Sequence, residues 1–260
     1  MNLTPTPYEL VIAPLEESVF PAIRSEAEQR GTDPRRRDQF ILLGHVGATL
    51  AAMEPEDAPP DALQEYAEVL YQGFQFWRWG RRLYVFDETV TAALLAPRVE
   101  LRDWELAAPP ACYLRFPYQR LWARVADEAL FEPLDGCFVT CDDRDAQGGG
   151  PTHLRVLAVL GARSERAGLS LVTHTLDLAP ADVSRSADAP WRDGAPPFAN
   201  ALPGGERNGY RAVVTISELE ALVLRALHHL DRHSETLTAE PPPAGERHTH
   251  LAYTAVHAAG

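Results

Sequence analysis

The chain has 260 residues, 45% of them hydrophobic and 23% charged, enough apolar material for a substantial core. Its formal charge of −13 opposes a phosphate backbone or an anionic lipid surface on average, which disfavours nucleic acid and membrane as partners. All 24 basic residues are arginine, so Schiff-base, pyridoxal-phosphate, P-loop and kinase-type lysine chemistry is excluded outright. Arginine, alanine, proline and glycine in this abundance point to GC-rich codons, and so to a bacterium or its phage.

No apolar run reaches the roughly 18 to 20 residues of a membrane-spanning helix, and the start carries neither a basic nor a long apolar segment of the secretory type. A soluble, cytoplasmic protein is therefore expected. Cys112, Cys137 and Cys141 are an odd count with no C-x-x-C pair, which reads as reduced thiols and not as a disulfide framework or a zinc ribbon.

The first third is patterned for helices. "FPAIRSEAEQRG" places Pro21 at the first helical position and Gly31 at a stop; "TDPRRRDQFILLGHVGATLAAM" has Asp33 as its cap. In "DALQEYAEVLYQGFQFWRWGRR", Leu63, Tyr66, Ala67, Leu70, Phe74 and Trp77 recur at helical spacing. Gly80 stands where a helix ends in a left-handed residue, and Arg78, Arg81 and Arg82 sit at the negative end of the helix dipole. The tryptophans and arginines of FQFWRWGRR thus have structural work; Trp79 is also a candidate partner-binding residue. "RLYVF" reads as a strand, followed by Asp87 capping "ETVTAALLA".

From about 111 to 178 the pattern turns to strands: "ACYLRF", "RLWARVA", "GCFVTCD", "HLRVLAVLG" and "LSLVTHTLDL", separated by short turn signals. Short connections favour hairpins, so the expectation is a central antiparallel sheet of about five or six strands with "HLRVLAVL" inside it. Residues 179–209 are rich in Pro, Gly, Asp and Ser and longer than an ordinary connection. "YRAVVTI" is a further strand, and Ser217 and Glu220 form a capping box for the helix "ELEALVLRALHHLDRH".

The reading is one α+β domain over residues 1–233: N-terminal helices (1–97), the sheet (111–216) and a C-terminal helix (217–233) packed on that sheet. Residues 234–260 are expected to form a Pro-rich flexible tail.

Three patterns invite chemistry. His174 lies inside a strand, and with Cys137 and Asp135 it could make a Cys–His–Asp arrangement. His229 and His233 are four apart on one side of a helix, a spacing that can ligate zinc, although Leu230 stands where a metalloprotease needs glutamate. "CDDRDAQGGG" resembles part of a calcium loop but puts Leu154 at its bidentate position, so it reads as a polar turn. No cofactor is expected.

Recognisable catalytic spacing is missing, while aromatics stand in less regular stretches, among them Trp191 and Phe198. The expectation is a non-catalytic interaction or assembly protein acting through protein–protein contacts or self-association. The alternative is an enzyme using the Cys/His/Asp or His–metal residues.

Overall fold

The computed structural model describes residues 13–29, 46, 60–95, 111–117, 120–124, 131–143, 152–161, 170–178, 211–213, 216–240 and 252–258. Helix α1 (Val19–Gln29) and helix α2 (Pro60–Arg78) precede strand β1 (Arg82–Phe86) and a short helix α3 (Glu88–Leu94). Then come β2 (Ala111–Arg115), β3 (Leu121–Arg124), β4 (Phe131–Asp143), β5 (Thr152–Leu160), β6 (Ser170–Leu178) and β7 (Arg211–Val213). Helix α4 (Ile216–Arg232) leads to β8 (Leu237–Glu240) and β9 (Ala252–Val256).

The class is α+β, and the five β-like runs between 111 and 178 are β2 to β6, with β2, β4, β5 and β6 antiparallel in turn. The sheet is larger and more mixed than hairpins alone would build. Among the described residues it has nine strands in the order β6-β5-β4-β2-β1-β9-β8, with β3 and β7 branching from β4. Strand β1 runs parallel to both its neighbours, β2 and β9, and β3 runs parallel to β7. Parallel partners need a crossover, and local turn chemistry does not show where a crossing chain returns.

The expected tail is corrected at two places. Residues 237–240 and 252–256, inside the segment 234–260, are strands, and β9 sits within the sheet between β1 and β8. "AYTAV" supplies buried Tyr253, Ala255 and Val256, which is enough apolar surface to fix a strand.

Both faces of the sheet are covered, because alternate side chains point to opposite sides. Cys112, Leu114, Cys137, Val139, Cys141, Val156, Ala158 and Val256 face α4 through Leu222, Val223, Ala226 and Leu227. Leu83, Tyr113, Phe138, Leu157, Val159 and Tyr253 face α1 and α2 through Phe20, Ile23, Leu70, Tyr71, Phe74 and Phe76. Strand β5 is buried on both sides, as its near-continuous apolar run requires.

The end of α2 answers for FQFWRWGRR. Arg81 N–H donates to Phe76 O (2.9 Å) and Gly80 N–H to Trp77 O (3.3 Å), with φ of +90° at Gly80 and +53° at Arg81. This is the paired bonding that closes a helix on a left-handed glycine. Arg78 stacks over the Trp79 ring (4.9 Å), Arg81 pairs with Glu16 (2.6 Å), and Trp79 Nε1 donates to Gln75 (3.2 Å). Val46 is helical and buried; the rest of the expected helix from Asp33 to Met53 lies outside the described residues.

Candidate functional site

Asp135 is the extra residue of a β-bulge. Leu134 pairs with Leu160 and Gly136 with Val159, so β4 carries one residue more than β5 at that point. There β4 changes partner, from β3 on residues 131–133 to β2 from Gly136 onward. The carboxylate is fully buried, accepts from Tyr113 Oη (2.5 Å) and lies 4.0 Å from Arg115 Nε. Its backbone carbonyl accepts from Phe116 N–H (3.0 Å). Asp135 therefore serves the bend in the sheet.

The three cysteines lie on the α4 side of the sheet, all buried. Cys112 pairs with Val139, diagonal to Cys137 and Cys141, and such diagonal neighbours are about 7–8 Å apart, beyond disulfide reach without backbone movement. Burial pushes the Cys112 thiol up to about 12, and burial with the Asp135 carboxylate nearby pushes Cys137 higher still. Neither is a thiolate nucleophile at neutral pH.

His174 occupies β6 opposite Val156, whereas Cys137 on β4 stands opposite Ala158. Strand β5 separates them, a lateral distance of about 10 Å. The expected Cys–His–Asp arrangement is thus not assembled along the backbone: Asp135 neighbours Cys137 and His174 does not. Trp191 and Phe198 lie outside the described residues, as does the turn at 144–150.

His229 and His233, by contrast, are brought together. They lie at the C-terminal end of α4 with ring centres 4.7 Å apart. His233 Nδ1 lies 3.2 Å from Glu235, and His229 Nε2 lies 3.4 Å from Thr236 Oγ1. That hydroxyl already donates to the His233 carbonyl (2.7 Å). Phe86, the last residue of β1, packs edge-on to the His229 ring at 6.5 Å. Next to this pair, His257 at the end of β9 lies 3.6 Å from Asp87 and 4.0 Å from Glu240. Asp87 also caps α3 through Val90 N–H (2.7 Å) and accepts from Ala258 N–H (3.3 Å). Partial burial pushes the His228 and His229 imidazoles below their usual range, with His233 adding to the effect on His229. Its own backbone N–H and His233 hold the Glu235 carboxyl below the usual carboxylate range.

Helical spacing announces the His229/His233 pair. Nothing local announces His257, Glu240 or the second role of Asp87, because these depend on β9 entering beside β1. Among the described residues no group of three or more His, Cys, Asp or Glu is arranged to hold a metal ion. A shallow groove of about 190 Å³ lies at α3, lined by Thr91, Ala92, Leu95, Pro117 and Leu121, with Arg120 bonded to both oxygens of Glu88 at its rim. No helix among the described residues is long and apolar enough to cross a membrane.

No family model matches the chain, and the curated proteins hold no match. A solved structure described as "Crystal structure of AcrVA2" is similar at 10% sequence identity and a TM-score of 0.42, covering 94% of this chain and 79% of that chain. At that identity and score the likeness carries no functional argument.

Proposed function

We propose that this chain is a non-catalytic interaction or assembly protein, cytoplasmic and of bacterial or phage origin, that acts through protein–protein contacts. The observation that carries the reading is the β8 margin of the sheet. Among the described residues β8 pairs with β9 on one side only, and Thr238, Ala239 and Glu240 are exposed. A sheet whose two faces are covered by helices offers its margins to a partner, and an exposed edge is a template for strand addition. The margin is acidic, with Glu235, Glu240, Asp87 and Glu88 close by, so a basic partner segment fits it best. The net charge of −13 supports the same reading against a nucleic-acid role.

The edge makes a specific test available. Thr236 O accepts from His257 N–H, and residues of an antiparallel strand alternate in the side to which they direct their backbone groups. By that parity Leu237 and Ala239 direct theirs away from β9. The first experiment is the native mass of the untagged protein isolated from its own host. A stoichiometric protein partner or a defined oligomer is expected. The assembly should then weaken in Ala239→Pro, which removes an outward N–H while sparing the ladder to β9. A monomer that turns over a small molecule would sink the reading.

A further inference from the structure

We infer that His229 and His233 form a binding site for a divalent transition-metal ion of the zinc class at the C-terminal end of α4. The site is independent of the interaction reading above. Residues four apart share one helix face, and here the two rings stand 4.7 Å apart. With metal–nitrogen bonds of about 2.0–2.1 Å, each ring centre would sit about 3.2 Å from the ion, and the two centres then subtend roughly 95° at it. That is an angle two ligands of one ion adopt.

The surrounding groups favour the same occupant. Glu235 lies 3.2 Å from His233 Nδ1; an Nδ1–H donating to that carboxylate leaves Nε2 with its lone pair for the ion. A carboxylate behind a ligating imidazole orients the ring and raises its basicity. The 3.4 Å contact of His229 Nε2 with Thr236 Oγ1 is too long to compete strongly with a metal bond. A helix C-terminus carries partial negative charge, which favours a bound cation there. Imidazole nitrogen with nearby carboxylate oxygen suits zinc, nickel and copper better than calcium or magnesium. Two protein ligands anchor the ion and water completes its shell, so the site is open and the metal exchangeable.

The test is calorimetric titration of the untagged protein with zinc chloride at neutral pH. One zinc per chain is expected, with a rise in thermal midpoint that grows with zinc concentration. His229→Gln and His233→Gln should each abolish saturable binding. His228→Gln, adjacent in sequence but outside the pair, should retain it. Glu235→Gln should weaken binding about tenfold, the lower end of what loss of a carboxylate behind a ligating histidine costs. His233 has 45% of its side chain exposed, so His233→Gln carries the test even where His229→Gln loses packing on Phe86. No saturable binding by the wild type, or binding that survives both histidine substitutions, overturns the site. Unchanged affinity in Glu235→Gln overturns the role given to the carboxylate.

Discussion

Tyr113 reaches along the sheet from β2 to donate its phenolic hydrogen to Asp135 across 2.5 Å, and it passes directly over Gly136 to do so. A Cβ at Gly136 would lie 2.2 Å from Leu114 O and 2.9 Å from Cζ and Oη of Tyr113. The glycine, the tyrosine and the bulged aspartate are one device that lets a long strand change neighbours.

Gly136→Ala should therefore destabilise the fold by about 3 kcal/mol, since the nearest atom is rigid backbone and overpacking is relieved only by moving a strand. Tyr113→Phe keeps the ring against Phe138 and removes only the bond to the buried carboxylate, for a loss of about 2 kcal/mol. Urea denaturation of the two variants distinguishes the two costs.

Stability should fall as the solution becomes alkaline. Burial holds the Cys112 thiol up near about 12 and raises Cys137 and the Tyr113 phenol as well. The folded state keeps protons that the unfolded chain releases, so this stabilisation is fully present below the ordinary thiol value of 9.0 and lost as pH rises above it. The urea midpoint should hold up to about pH 9 and decline beyond. A thiol reagent such as dithiobis(nitrobenzoate) should react with Cys112 and Cys137 no faster than the chain opens.

Gly80→Ala tests a cost with no steric component from neighbours. Nothing lies within 4 Å of a Cβ placed there, yet φ is +90°. The expected loss is about 1 kcal/mol, from the left-handed backbone alone, and Gly80→Asn should lose less. Thermal denaturation of both variants checks the order.

Asp87→Ala should cost about 1 kcal/mol through the lost cap of α3. It should also speed hydrogen exchange at Ala258, whose N–H the same carboxylate accepts. A cap with no second role would leave that amide untouched.

The local elements were readable from residues one turn or one strand apart. Asp87 caps its helix, Gly80 ends another, and the five runs from 111 to 178 are strands. His229 and His233 were readable as a pair for the same reason. The pairing of β1 with β9 was not, since period-two alternation says which face a side chain takes and nothing of which strand lies alongside. His174 and Cys137 show that limit from the other side: both lie in strands, and β5 runs between them. In sequence Asp135 reads as a member of a Cys–His–Asp arrangement, and only the register reveals it as a bulge.

Strand β9 has a consequence for how the chain is made. Asp87 and Ala258, bonded in the finished fold, are 171 residues apart, and β1 has β9 as its partner on one side. A ribosome that has delivered β1 through α4 has produced a sheet with a vacant place beside β1, and a growing chain must keep that edge from foreign strands until residues 252–256 emerge. Closure of the sheet is therefore a late event, slow by reason of its long loop. A chain stopped short of β9 would present an open edge to any neighbour on the same message.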